Sequence, residues 1–203
     1  LEFANKYSFF KKFYYFYNIY LRNKKYLKNS SQFGEDEYLF KLFEKNYRGK
    51  YIDIGCFHPT KHNNTFLFYK NGWSGLNIDL NPLTIELFNF MRPKDININI
   101  GVSNEEGEKT LYFIDETNTQ NPLSKNQLIF LKEHHNLKNN EITEKKIKTT
   151  RLDKILDQHN YNVIDFMNLD IEGHELEVIE TINFKKTSIK YICIEMINHN
   201  EMS

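Results

Sequence analysis

The stretch from Lys50 to Pro82 constrains the fold most, because it reads as strand, tight turn, helix and strand in quick succession. Tyr51 to Ile54 is short, β-prone and apolar apart from Asp53, the pattern of a buried strand. Gly55 follows, where a strand turns and its backbone can approach a ligand closely. Asn63 and Asn64 are N-cap residues for a helix running to Asn71-Gly72, and that pair is a C-terminal stop. Leu76 to Ile78 is a second strand, ending in the acid Asp79. Together these elements form the first half of a nucleotide-binding α/β fold, in which the acid lies beside the turn and accepts both hydroxyls of a ribose.

The stretch fits a dinucleotide poorly. Gly-x-Gly-x-x-Gly would bring a pyrophosphate onto the helix N-terminus, and only Gly55 is present. A single glycine suits a ligand with a ribose but no phosphate, such as S-adenosylmethionine. The βαβ pattern alone does not choose among functions.

Asp53-Ile54-Gly55, Pro59, Asn64-Thr65, Gly72-Trp73-Ser74-Gly75 and Ile78-Asp79 resemble the FkbM-type S-adenosylmethionine-dependent methyltransferases. Ser31-Gln32-Phe33-Gly34-Glu35-Asp36 upstream and Asp165-Phe166 through Asp170-Ile171-Glu172-Gly173-His174-Glu175 downstream agree in order and spacing. Asn63 departs from a usual serine, and Asp79 from a frequent glutamate. The resemblance implies a Rossmann-like class I methyltransferase fold of α/β class, an open and mostly parallel sheet with helices on both faces. It implies S-adenosylmethionine as cofactor, with Asp53, Gly55, Cys56, Asn64, Asp79 and Leu80 around it and Gly101 and Val102 at the adenine. Gln32, Glu35 or Asp36 would wall the pocket, unless Ser31 and Asp36 simply cap a helix. A complete sheet of this kind adds an antiparallel strand pair after Glu195. The chain ends before one, so the last pair is expected to be missing.

At 203 residues the chain suits one domain with a substantial core. Lys plus Arg equals Asp plus Glu at 27 each, so no global charge points to nucleic acid. Residues 1 to 29 nevertheless hold seven basic residues and one acid, a charge of +6 that the remainder balances. Residues 1–30 thus read as an aromatic, basic helical arm, and 31–203 as the methyltransferase-like domain, with an insert at about 115–148. Phe9, Phe13, Phe16, Tyr17 and Tyr20 share one helical face of the arm. That face either packs on the domain or a partner, or lies on an anionic membrane surface. It is too short and too tyrosine-rich to span a bilayer, and it lacks a signal-peptide cleavage site. Cys56 and Cys193 make no disulfide framework, with a strand expected between them, so a cytoplasmic, possible membrane-peripheral location is expected. The opening leucine suggests a trimmed or partial N-terminus.

Further along, Glu37 to Asn46 reads as a helix with Leu39, Leu42 and Phe43 inward, and Pro82 starts another through Phe90. Ile96 to Ile100 is the third strand and Lys109 to Ile114 a further one, expected to pair with it as a hairpin. The insert holds one helix, Pro122 to His135, whose His134 and His135 read as solvent-facing. Ile147 to Leu156 leads to the fourth strand, Val163 to Leu169. Leu176, Ile179 and Ile182 form the buried stripe of the next helix, and Tyr191 to Met196 is the fifth strand.

In an open α/β sheet the ligand lies beyond the carboxyl ends of the strands. Methyl transfer needs donor and nucleophile collinear, and a group to manage the nucleophile's proton. Asp170, Glu172 and His174 are the expected catalytic set, as acid/base or positioning residues. Asp170 and Glu172 could instead hold a divalent cation with Glu195, although no metal ligand is assigned. The segment could also be only a capped acidic turn, with Glu175 as cap. Three functions follow: methyl transfer to an oxygen of a sugar, glycan or small metabolite; a truncated, non-catalytic interaction module on the same fold; and a nicotinamide-dependent reductase, which the missing glycines argue against.

Overall fold

The computed structural model describes residues 8–113, 129, 142–171 and 173–195. The chain divides into two units, Leu1–Ile98 and Asn99–Ser203. In the first, α1 (Ser8–Phe16) runs into a π-helical turn, Tyr17–Arg22, and a 3-10 turn, Lys24–Leu27. There follow α2 (Glu35–Phe40), β1 (Lys50–Ile54), α3 (Phe66–Lys70), β2 (Ser74–Asp79), α4 (Pro82–Met91) and β3 (Ile96–Asn99), the last crossing the boundary. The second holds β4 (Gly101–Val102), β5 (Gly107–Phe113), β6 (Thr143–Thr150), α5 (Leu152–Gln158), β7 (Val163–Leu169), α6 (Glu175–Ile179) and β8 (Ser188–Ile194).

The expected α/β fold is present. One sheet has the order β3-β2-β1-β7-β8, with β1–β2 and β7–β8 parallel. Numbered within the sheet, that is the 3-2-1-4-5 order of a Rossmann-like domain. β7 lies between the strands carrying or preceding the two cysteines, and neither cysteine is disulfide-bonded.

Tyr51 to Ile54 are all buried in β1, as their apolar run requires. Tyr51 pairs with Gly75 across β2, and a Cβ at Gly75 would sit 1.9 Å from the Tyr51 ring. The ring cannot easily move, because its hydroxyl donates to Asp95. Gly75→Ala should therefore cost about 1–3 kcal/mol of stability in urea denaturation, and an unchanged midpoint would refute this reading of the glycine.

α4 begins as Pro82 predicts, with Asn81 Oδ1 accepting from Leu83 N at 2.9 Å. α3 starts later than expected, at Phe66, because the Asn63 side chain is drawn to Asp53 and closes a turn onto Thr65 N. It stops as expected: Gly72 adopts φ +84°, and Trp73 N reaches back to Phe68 O at 3.2 Å. α2 ends at Phe40, and the i→i+3 turns beyond it expose Leu42 while Phe43 packs on Phe68 and Trp73.

The arm packs by a different edge from its aromatic face. Tyr15 and Ile19 are buried with Leu87 of α4, and Lys11 Nζ donates to Glu86 at 2.9 Å while Tyr15 also bonds Glu86. Phe9, Phe13, Phe16 and Tyr17 remain exposed.

Three expectations for the second unit need correction. β5 does not form a hairpin with β3; it pairs antiparallel with β6, in a sheet of order β4-β6-β5. The β6 sequence, Thr-Glu-Lys-Lys-Ile-Lys-Thr-Thr, looks like a polar insert end, but it sets Lys148 opposite Glu108 and bonds Lys146 to Thr110. On α6 the buried positions are Glu175 and Val178, with Ile182 beyond its end, whereas Leu176 is exposed. Glu175 sets that phase, because its carboxylate turns inward onto backbone N–H groups. β8 begins at Ser188, earlier than Tyr191. The expected insert helix, with His134 and His135, lies outside the described residues except for Ile129, which is helical.

Candidate active site

β1 ends at Ile54, and the chain then turns through left-handed residues. Gly55 has φ +78° and Phe57 φ +51°. Gly55 N and Cys56 N both donate to Ile78 O of β2, at 2.9 and 3.2 Å. The next residue of β2 completes the link: Asp79 Oδ2 accepts from Phe57 N at 2.8 Å and Oδ1 from Asn81 N at 2.7 Å. The turn after β1 and the acid ending β2 are thus one bonded structure, with Leu80 N also acting on that acid. Burial pushes the Asp79 carboxyl up to about 6, against the pull of the Asn81, Phe57 and Leu80 N–H groups, with Asp53 adding to the rise. The same burial, with the Asp79 and Asp53 carboxylates, raises the Cys56 thiol, so Cys56 is a packed thiol rather than a thiolate.

A second layer supports the turn. Asp53 is fully buried, and its Oδ2 accepts from Asn63 Nδ2 at 3.0 Å and Thr65 Oγ1 at 2.7 Å. Arg92, at the end of α4, is also fully buried. Its Nη1 donates to Thr65 Oγ1 and Tyr51 Oη, and its Nη2 to Asn63 Oδ1 and Pro59 O. Its guanidinium also faces the Phe88 ring at 4.7 Å. Thr65 and Asn63 thereby bridge Arg92 to Asp53, while Tyr51 bridges it to Asp95.

His58 is buried in the same loop. Its Nδ1 accepts from Thr60 N and Lys61 N, at 3.1 and 3.0 Å, which places the proton on Nε2, where it donates to Asn18 Oδ1 at 2.9 Å. Burial, then Lys61 and Arg92, lower its pKa to about 3, so the ring is neutral at physiological pH.

Of the other expected binding residues, Glu35 caps its own turn, accepting from Phe33 N at 2.8 Å, while Asp36 is buried on Ser30 and Ser31. Asn64 is half-buried, and it is the neighbouring Asn63 that holds Asp53.

The second unit carries the rest. Gly101 and Val102 are buried in β4, beside Thr149 and Thr150 of β6. Asp170 follows β7 and is half-buried; Glu172 lies outside the described residues. Glu175 Oε1 accepts from Ile171 N and Gly173 N, at 2.9 and 3.1 Å, and so closes the turn after β7. His174 Nδ1 is buried, 3.7 Å from Glu177, with no hydrogen-bond partner among the described residues. Burial lowers the His174 pKa, against the opposite pull of Glu177, and keeps a neutral ring in that turn. Among the described residues no group of three or more His, Cys, Asp or Glu is placed to hold a metal ion.

The family model described as methyltransferase FkbM domain matches residues 49–202, more than half of the chain. The chain belongs to the FkbM methyltransferase family. No curated protein and no solved structure matches it. In this FkbM chain, Asp53, Gly55, Cys56, Asp79 and Leu80 lie at or near the carboxyl ends of β1 and β2. Asn63, Thr65 and Arg92 were missed as support for that turn. Asn63-x-Thr65 carries a signal, an Asx turn beside a buried acid; Arg92, followed by a proline at a helix end, reads like any surface cation.

Proposed function

We propose that this chain is an S-adenosylmethionine-dependent methyltransferase acting on an oxygen of a sugar, glycan or small metabolite. The observation that carries the reading is Asp79, joined to the left-handed turn after Gly55 through Phe57 N. An acid ending the second strand beside a glycine turn is where a nucleotide-binding α/β fold accepts ribose hydroxyls, so the residues present fit the cofactor.

When bound, S-adenosylmethionine supplies a methyl group on a sulfonium that carries its own leaving group. The chain's part is to bind, orient and handle a proton. Asp79 holds the ribose, Gly55 lets the backbone approach, and the Arg92 layer keeps the turn rigid. Asp170, Glu172 and His174 are assigned to the acceptor hydroxyl, taking its proton or orienting it. Among the described residues no helix is long and apolar enough to cross a membrane.

Calorimetry with S-adenosylmethionine, its demethylated product and NAD tests the proposal. The first two share the ribose and should bind; NAD should not. Asp79→Ala should weaken both by about 30- to 150-fold, the equivalent of about 2–3 kcal/mol for two charge-assisted hydrogen bonds. The pH dependence has a definite sign. Asp79 is raised in the ligand-free fold, and hydroxyl donors favour its ionised form, so binding expels a proton below about pH 6. Affinity should be level above that pH and fall below it. An unchanged dissociation constant in the Asp79 variant would remove this residue from the site, and no binding of either adenosyl ligand would favour the interaction-module reading.

A further inference from the structure

The face of α1 that turns away from α4 is unlike an ordinary solvated helix face. Phe9, Phe13 and Phe16, spaced by four and three, form one stripe, exposed by 75%, 63% and 46%. Tyr17 and Leu21 extend it into the π-helical turn, at 46% and 55%. Large apolar residues scattered over a surface are ordinary; a continuous stripe of five marks a contact.

The stripe is held on a fixed support. Tyr15 and Ile19 are buried against Leu87, Lys11 and Tyr15 bind Glu86, and Asn18 Oδ1 accepts from His58 Nε2. The arm's own charges have one sign. Residues 8–29 contain six Lys or Arg and no acid, and of these Lys12, Arg22, Lys24, Lys25 and Lys28 are exposed.

We infer that this arm docks the protein on the surface of an anionic lipid bilayer. Aromatic side chains enter the boundary between headgroups and acyl chains, and flanking cations are drawn to the negative surface. No described helix can span the membrane, so the arm lies in the interface. A second copy of the chain is a poor occupant, because it would bring two basic arms into contact. Asn18–His58 and Tyr26–His62 tie the arm to the loop after β1, so docking sets that loop beside the lipid surface. The inference does not depend on methyl transfer.

Co-sedimentation of the 203-residue chain with vesicles of phosphatidylcholine, with and without phosphatidylglycerol, tests it. The chain should pellet with the anionic vesicles, and salt should release it. Phe9→Ser/Phe13→Ser and Lys24→Glu/Lys25→Glu should each weaken binding about tenfold or more with circular dichroism unchanged, since all four side chains are exposed. No pelleting at low salt, equal pelleting with neutral vesicles, or binding indifferent to both variants would overturn the proposal. So would a sedimenting mass that rises with protein concentration and reverts in the phenylalanine variant, which would identify a second copy as the occupant.

Discussion

Arg92→Met should lower the unfolding free energy by about 3–5 kcal/mol, a large part of the stability of an ordinary domain. Methionine fills a similar volume, and swapping a buried ion pair for apolar residues is often neutral. Here only one member is removed. Pro59 O and Asn63 Oδ1 lose their Nη2 donor, Thr65 Oγ1 and Tyr51 Oη lose Nη1, and all of these residues are buried. The Asp53 and Asp95 carboxylates, one bridging side chain away, lose the nearest buried cation. Arg92→Lys should rescue only part of the loss, because an ammonium cannot reproduce the planar fork. Urea denaturation of both variants measures this. An Arg92→Met protein within about 1 kcal/mol of wild type would show that the network is dispensable.

The failure to foresee that network follows from the kind of information a sequence holds. β1 and β2 were legible because apolar runs and a terminal acid are local signals, and β7 matched its expected span, Val163 to Leu169, for the same reason. Gly72 was legible because a helix end needs a left-handed residue there. β6 was not, since a strand of mostly charged and polar residues takes its identity from the partner opposite, and that partner lies across the insert. The phase of α6 was not legible either. Leu176 looks like its buried residue by composition, but Glu175 is pulled inward by backbone donors that exist only once the turn has formed. The same separation applies to the candidate site. Asp79 could be placed at a strand end from local signals, whereas Asn63, Thr65 and Arg92 act through contacts spanning up to the length of two elements.

Asp170→Asn should leave S-adenosylmethionine binding intact while methyl transfer falls about 10²–10⁴-fold. The substitution keeps the shape and hydrogen-bonding reach of the side chain and removes its charge. The turn it belongs to has its own support, because Glu175 closes it on Ile171 N and Gly173 N. Glu175→Ala is therefore the structural control: it should lower the melting temperature, whereas Asp170→Asn should not. Single-turnover and steady-state rates, with any acceptor that the wild type methylates, separate the roles. A fall in turnover with unchanged cofactor affinity identifies a group that works on the acceptor proton or its orientation. Activity that chelator abolishes in the wild type, and that divalent ions no longer stimulate in the variant, would reassign Asp170 to a cation. A folded Asp170→Asn protein with wild-type turnover would exclude both roles and return the segment to a capped acidic turn.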